Sequence, residues 1–139
     1  MFLGNSDHSV DSKGRVVLPK EFREALGERF YITRGFEKCA QVLSVDEFDR
    51  LREQIRSLSA DKALPLQYLL ISPAVAVSPN AQGRIMIPAK LREDCSITSC
   101  VTIVGMDSRL EIWDKDTFSA FIEEKKQESI ADALSLLRI

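Results

Sequence analysis

The chain has 139 residues, the length of one domain or of one domain built from two half-domains. Its apolar fraction of 45% and charged fraction of 29% are ordinary for a globular protein with enough apolar material for a core. The net charge of −2 excludes a global cationic field of the kind that would by itself indicate nucleic-acid binding.

An extended segment, a turn and a short return strand open the chain. Residues 5–10 are polar, and Asp11–Gly14 follows with turn residues, because aspartate favours turn starts and glycine accepts a positive φ. Together with the apolar strand 16–18, these segments predict a first β-hairpin. Pro19 has the character of a first helical residue, and Gly27 is placed to close this short helix in the left-handed conformation.

A second pair of strands and a longer helix follow. Segments 30–34 and 39–45 flank a turn, and their β-branched and aromatic residues predict a second pair of strands. Ser44 and Glu47 form a Ser-x-x-Glu capping box, which predicts the start of a helix. An apolar stripe at helical spacing lies behind the box, and leucines beyond residue 60 predict a further helix.

The second half repeats this order, and a nine-residue motif is the clearest sign of the repetition. Asp11–Pro19 recurs as Asn80–Pro88, sixty-nine residues later, with glycine, arginine and proline at the same places. We assign turn formation and helix initiation to six motif residues: Asp11, Gly14, Pro19, Asn80, Gly83 and Pro88. One copy is too small for a core of its own, so we predict that two copies bury their apolar faces in a small closed barrel.

This duplication divides the chain into three parts. Residues 1–59 form the first repeat with its following helix, and residues 60–73 form a helical linker. Residues 74–139 form the second repeat with a C-terminal helix. The apolar stripe of that helix weakens beyond Lys125 and resumes near the end, which predicts a helical tail whose end either frays or packs on a neighbour.

The sequence indicates no catalytic residue, no metal site and no cofactor. Phosphate-binding loops, the His-Glu-x-x-His motif and the Gly-x-Ser-x-Gly motif are absent, and His8 is the only histidine. Cys39, Cys95 and Cys100 form no C-x-x-C pair, so we interpret them as core residues in a reducing compartment. We therefore expect a protein that is not an enzyme and has no small-molecule substrate.

Neither the start of the chain nor its most apolar stretch predicts a membrane protein. Residues 1–4 lack the basic region and apolar run of a signal peptide. The stretch 64–77 is interrupted by prolines and is shorter than the ~20 apolar residues that cross a bilayer. We expect a cytoplasmic protein with no membrane partner.

The repeated motif places polar side chains beside both turns. Lys13 and Gln82 precede the two glycines, and Arg15 and Arg84 follow them. Arginine and lysine bind phosphate or guanine, glutamine pairs with adenine, and a two-stranded ribbon fits the major groove. These four residues are therefore candidates for DNA contact. Taken singly, each arginine is better explained by a surface ion pair, for example Arg15 with Asp11. That explanation is weaker for the two together, because the duplication places both arginines at the same position beside a turn.

In these motifs the chain resembles the MraZ family of bacterial proteins. The family pattern Asp-x-x-x-Gly-Arg, followed by an apolar strand and a proline, occurs twice, although Asn80 replaces the aspartate in the second copy. The segments Met1–Gly4, Gly35–Cys39 and Leu110–Trp113 also look like the family. The resemblance covers essentially the whole chain.

This resemblance implies an α+β fold made of two AbrB-like, swapped-hairpin β-barrel halves with flanking helices. It implies a DNA-binding transcriptional regulator, usually a repressor, that controls the division and cell-wall gene cluster, including its own promoter. Family members bind short direct repeats in double-stranded promoter DNA as closed rings, which implies an octamer or dodecamer associated with the nucleoid. The family's DNA-contact positions correspond to Lys13, Arg15, Gln82 and Arg84.

An alternative hypothesis is a ring-forming protein-interaction scaffold without direct DNA recognition. The acidic net charge and the amphipathic tail favour it. The loss of the aspartate at Asn80 bears on the DNA-binding hypothesis, because asparagine can start a turn but cannot hold Arg84 by charge.

Overall fold

The computed structural model of the protein describes residues 1–128 and 130–138 and confirms a mixed α+β architecture. Its strands, in chain order, are β1 (Asn5–Ser9), β2 (Arg15–Val17), β3 (Phe30–Arg34), β4 (Ala40–Ser44), β5 (Val75–Val77), β6 (Arg84–Met86), β7 (Cys100–Gly105) and β8 (Leu110–Asp114). Its α-helices are α1 (Lys20–Leu26), α2 (Val45–Arg56), α3 (Ala60–Leu66), α4 (Ala89–Asp94), α5 (Lys115–Gln127) and α6 (Ala131–Ser135). A π-helical turn, Gln67–Ile71, follows α3.

The strands form two antiparallel groups that join the halves of the chain. One sheet has the order β1-β7-β8-β4-β3-β5, and β2 pairs with β6 in a separate two-stranded ribbon. The predicted hairpin of the first turn is therefore wrong, because β1 pairs with β7 and β2 pairs with β6. Likewise β5 of the second half pairs with β3 of the first. Each motif turn carries the chain from the large sheet into the ribbon.

The predicted closed barrel is also not found, since the six-stranded sheet is open and ends at β1 and β5. Both edge strands are short, which is one way in which proteins limit pairing at a sheet edge. The reason lies in the strand pairing. β2 and β6 pair with each other in the separate ribbon, so no strand connects β1 to β5 in the large sheet.

The main core lies between the large sheet, the ribbon and the short helices α1 and α4. Both halves contribute to it in equivalent ways: Val16 faces Ile85 across the ribbon, and each is 1% exposed. Further matched pairs are Leu18 with Ile87 and Leu26 with Cys95. Burial of a valine, leucine or isoleucine side chain contributes about 1.5–3 kcal/mol. The two halves therefore stabilise each other through one shared core.

The helix starts differ from the prediction in one detail. Pro19 and Pro88 precede α1 and α4 as N-caps with ψ of 141° and 140°, instead of forming the first helical residues. Their carbonyls accept the first hydrogen bonds of each helix, at 3.1 Å from Arg23 N and 3.0 Å from Arg92 N. Gly27 ends α1 with φ 92° and ψ −173°. The positive φ favours glycine, but ψ lies outside the predicted left-handed helical region.

The opposite face of the large sheet is covered by α2 and α5. Ser44 Oγ accepts a hydrogen bond from Glu47 N at 3.2 Å, so the predicted cap of α2 is present. The Glu47 carboxylate pairs with Arg50. Cys39 and Cys95 are buried, as predicted, and Cys100 is partly buried. Within the described ranges, no helix is both long and apolar enough to cross a membrane.

Candidate nucleic-acid interface

The two motif turns have the same backbone hydrogen bonds. Asp11 Oδ1 accepts from Lys13 N and from Arg15 N, both at 2.9 Å. Asn80 Oδ1 does the same for the second turn, accepting from Gln82 N at 3.0 Å and from Arg84 N at 2.9 Å. Asparagine therefore replaces aspartate without any loss of backbone hydrogen bonds, because only the side-chain carbonyl oxygen is used for them.

The glycine of each turn is fixed by the other half of the chain. Gly14 and Gly83 have φ of 79° and 75°, values that disfavour residues with a Cβ. The Gly14 carbonyl accepts from Ile87 N at 2.9 Å, and the Gly83 carbonyl accepts from Leu18 N at 3.1 Å. Each turn is thus positioned by the strand end of the opposite repeat.

Arg15 is held by the aspartate of its own turn. Its Nε donates to Asp11 Oδ2 at 2.8 Å, and both side chains are partly buried. The hydrogen bond from the Arg15 backbone, together with those from its side chain and from Lys13, lowers the pKa of Asp11. The carboxylate is therefore ionised at neutral pH and orients the guanidinium while part of it stays exposed to solvent.

Arg84 lacks this partner. Its side chain forms no hydrogen bond or ion pair with any residue in the described ranges, and Asn80 uses its Oδ1 for the turn backbone. The charge of Arg84 is consequently not neutralised by a neighbouring carboxylate. The two arginines therefore occupy equivalent positions with different degrees of restraint.

The ribbon brings the two arginines to one surface. In the β2–β6 register, Arg15 lies opposite Met86 and Val17 lies opposite Arg84, while Val16 and Ile85 point to the core. Side chains alternate across a strand, so Arg15, Val17, Arg84 and Met86 share the outward face. Val17 is 40% and Met86 45% exposed. We call this outward face of residues 15, 17, 84 and 86 the ribbon face.

A shallow cavity of about 270 Å³ lies beside the ribbon face and joins its two arginines, with Arg15 and Arg84 both on its wall. His8 of the edge strand also lines it. Burial lowers the pKa of His8 and outweighs the opposing effect of Asp7. At neutral pH the cavity therefore carries an uncharged imidazole beside two arginines and the Asp11 carboxylate that pairs with one of them.

Lys13 and Gln82 lie at the tips of the two turns, and both are exposed. Their backbone N–H groups are used within the turns, while the described residues provide no hydrogen-bond partner for either side chain. The lysines of the neighbouring helices differ in this respect, because Lys20 pairs with Glu24 and Lys90 with Asp94. The unpaired polar groups of the region thus concentrate at the turns and the ribbon face.

Two further arginines, Arg23 and Arg92, link each repeat to the opposite turn and were not among the predicted site residues. Their Nε atoms donate to the carbonyls of Leu18 and Ile87, both at 3.0 Å. Arg92 lies over Gly14 and Arg23 over Gly83, so close that a Cβ on either glycine would meet a guanidinium carbon at 2.5 or 2.7 Å. Extending the repeat alignment beyond the prolines would have revealed them, since they too are sixty-nine residues apart.

Other chemistry has less support in the geometry. In the described part of the chain, no group of three or more histidine, cysteine, aspartate or glutamate residues is arranged to hold a metal ion. Burial raises the pKa of the Cys95 thiol to about 11, and burial likewise raises that of Cys39, so neither thiol is a ready nucleophile.

A scan against protein families matches this chain in two segments, residues 1–65 and 70–137, to the model described as "MraZ protein, putative antitoxin-like". The matches begin sixty-nine residues apart, the same interval that separates the two turn motifs. Together they cover nearly the whole chain, and the family is of the regulator type and not a family of enzymes. This coverage shows that the chain belongs to the MraZ family.

Proposed function

We propose that this protein is a sequence-specific DNA-binding transcriptional regulator that uses the ribbon face to enter the major groove. The observation that carries the proposal is the pair of arginines, Arg15 and Arg84, on one side of a two-stranded ribbon. A two-stranded ribbon fits the major groove, and arginine is the side chain most often used to bind guanine there. Lys13 and Gln82 extend the contact surface from the turns to phosphate and to adenine.

The exposed apolar residues of the ribbon face agree with this role. Val17 and Met86 lie directly opposite the arginines, where they are placed to contact thymine methyl groups. The exchange of strands between halves also supports the AbrB-like, swapped-hairpin interpretation of the fold. In that interpretation the ribbon is the element that both halves build together.

The proposal includes assembly and target. The chain forms an octameric or dodecameric ring and binds short direct repeats in the promoter of the division and cell-wall gene cluster, its own promoter included. There it acts as a cytoplasmic, nucleoid-associated repressor. Few basic side chains per subunit suffice in such a ring, because linked contacts gain from a high effective concentration.

A gel-shift titration with DNA from upstream of the protein's own gene tests the proposal. We expect Arg15→Ala to cripple binding while the assembly, measured by size-exclusion chromatography, stays intact. Arg52→Ala in α2 is the matched control and should bind like wild type. It removes the same charge, also from an arginine paired with an aspartate, on a helix that covers the other face of the large sheet. Wild-type affinity in a correctly assembled Arg15→Ala protein would refute the assignment.

A ring-forming protein-interaction scaffold is the second candidate, and it shares with the first the exposed apolar side chains through which a ring could assemble. Leu64, Tyr68 and Leu69 are 51%, 68% and 48% exposed, and Leu136 in the tail is 81% exposed. A scaffold would assemble through such side chains without contacting DNA. Failure of the assembled protein to bind the upstream DNA even at low salt, where phosphate contacts are strongest, would favour the scaffold.

A further inference from the structure

The ribbon face has an approximate two-fold axis through its centre. In the β2–β6 register Val16 lies opposite Ile85. A half-turn about this pair exchanges Arg15 with Arg84, which are sixty-nine positions apart in the two copies of the motif. If the two ends of the ribbon were identical, both arginines would meet DNA in the same way. Any chemical difference between the ends therefore bears on what each arginine binds.

The ends differ by one atom at the first residue of each turn. Because Oδ1 already accepts from the turn backbone in both copies, the remaining terminal atom is Oδ2 in Asp11 and Nδ2 in Asn80. Asp11 Oδ2 accepts from Arg15 Nε at 2.8 Å. An amide nitrogen and a guanidinium only donate, so Nδ2 cannot hold Arg84 in the same way. One arginine is fixed, and its counterpart is not.

The fixed arginine is prepared to bind a guanine. Asp11 occupies the Nε of Arg15, while the two terminal nitrogens have no hydrogen-bond partner within the described ranges and the side chain is 31% exposed. Guanine offers O6 and N7 side by side in the major groove, and a guanidinium binds both when its plane is correctly set. The Asp11 carboxylate restricts that plane before DNA binds.

The unfixed arginine is better suited to a phosphate. Immobilising a long side chain that is unrestrained before binding lowers affinity about 2- to 12-fold, which disfavours Arg84 as a reader of bases. Phosphates lie along the whole DNA backbone and attract positive charge without requiring one plane. In the described part of the chain no carboxylate pairs with Arg84, so its charge remains available to a phosphate.

We propose that the residues at positions 11 and 80 give the two arginines different roles. Asp11 positions Arg15 to read one guanine in the major groove, and Asn80 leaves Arg84 free to bind a phosphate of the DNA backbone. Asp11 and Asn80 are then positioning residues that set base preference, in addition to shaping the turns. This inference rests on the proposed function, because it requires that the ribbon face binds DNA.

The test is a fluorescence-anisotropy titration of the full chain with the shortest upstream DNA fragment that wild type binds. Each guanine of the fragment is replaced in turn by 7-deazaguanine, which lacks the N7 acceptor. Inosine at the same place is the control, because it keeps O6 and N7 and lacks only the minor-groove amino group. We expect 7-deazaguanine to weaken wild-type binding about five-fold or more at one guanine at least, and inosine to have little effect there.

Two variants separate guanine recognition from phosphate binding. Asp11→Asn keeps an acceptor for the turn backbone, as Asn80 shows, but releases Arg15. We expect its 7-deazaguanine effect to fall below about two-fold, while the slope of log affinity against log salt does not flatten, because the variant removes a negative charge. Arg84→Gln should keep the 7-deazaguanine effect and flatten the slope by about 0.9 for each engaged subunit.

Asp49→Asn in α2 is the matched control for Asp11→Asn. It makes the same exchange of one atom in another aspartate that pairs with an arginine, Arg52, at 3.3 Å. Both the 7-deazaguanine effect and the salt slope should match wild type. Size-exclusion chromatography checks the assembly of every variant, and Arg84→Gln decides the question if Asp11→Asn assembles incorrectly.

Each outcome supports or overturns the inference. A lost 7-deazaguanine effect in Asp11→Asn, with a retained effect and a flatter slope in Arg84→Gln, supports it. A retained effect in correctly assembled Asp11→Asn, or a lost effect or unchanged slope in Arg84→Gln, overturns it. Wild-type binding without any 7-deazaguanine effect also overturns it and leaves DNA binding intact. Failure of wild type to bind the upstream DNA at low salt refutes the proposed function itself, and this inference with it.

Discussion

The Asp11 turn and the Asn80 turn hold the backbone in the same way and hold their arginines differently. Each uses one side-chain oxygen to accept from two backbone N–H groups at 2.9–3.0 Å. In the first turn the second carboxylate oxygen binds Arg15 Nε, whereas in the second turn the described residues offer Arg84 no such partner. The chain therefore contains a restrained and an unrestrained copy of one arginine.

This difference separates two roles of the turn aspartate, which are to shape the turn and to orient the arginine. Shaping the turn needs only an acceptor oxygen, which asparagine also provides. Orienting the arginine needs the second, charged oxygen. A pre-oriented Arg15 loses less conformational freedom on binding, while an unneutralised Arg84 contributes more of its charge to a phosphate backbone. Variants that exchange or remove these features test the comparison.

The largest effect should come from the arginines themselves. We expect Arg15→Ala to weaken DNA binding more than Arg84→Ala, because Asp11 pre-orients Arg15. Each loss corresponds to about 1–3 kcal/mol, or roughly 5- to 150-fold, if the side chain binds a base. Gel-shift titrations at two salt concentrations measure both variants and the double variant. A larger loss for Arg84→Ala would show that charge matters more than orientation.

The second largest effect should come from replacing the glycines of the two turns with alanine. We expect Gly14→Ala and Gly83→Ala each to lower the free energy of unfolding by about 1–2 kcal/mol, because both glycines have a left-handed φ. Chemical denaturation measures the change. Gly4→Ala is the control, since Gly4 has φ 80° but open space around a Cβ. A smaller loss at Gly14 than at Gly4 would contradict the close approach of Arg92.

Loss of the arginines that cross between repeats should have a smaller effect. We expect Arg23→Ala and Arg92→Ala to destabilise the protein by about 0.5–1.5 kcal/mol each, the usual net contribution of one hydrogen bond. Thermal unfolding measures this. Because both Nε atoms lie 3.0 Å from the carbonyls that they bind, the two losses should be similar, and a strongly unequal pair would argue against the observed symmetry.

The smallest effect should be on how the free energy of unfolding depends on pH. The pKa of Asp11 is lowered in the folded protein, so its contribution to stability is present above the ordinary aspartate pKa of about 4. That contribution is lost as the pH falls through the lowered folded value. Asp11→Asn should therefore lose less stability than wild type on acidification, and Asn80→Asp should lose more. Chemical denaturation at pH 7 and pH 3 measures the free energy of unfolding of both variants. The same loss in wild type and in both variants would contradict a stabilising Asp11–Arg15 ion pair.

Local sequence was sufficient to predict the two turns, the cap of α2 and the alternation of the ribbon strands, because each depends on residues only a few positions apart. The Asp-x-x-Gly and Asn-x-x-Gly turns follow from side chains that hydrogen-bond within four residues, and the Ser44 cap follows from the same kind of contact. The alternation of buried Val16 with outward Arg15 and Val17 follows from strand geometry alone. The positions of the four candidate contact residues beside the two turns follow from these local rules.

Strand pairing and side-chain partners were decided by the tertiary structure. β1 and β2 are neighbours in the chain, yet each pairs with a strand of the second half, because this exchange buries Val16 and Ile85 together in one shared core. The positions of Arg23 and Arg92 over the opposite glycines depend on the same exchange. Contacts between residues sixty or more positions apart depend on which faces become buried, and no local pattern in the chain encodes that choice.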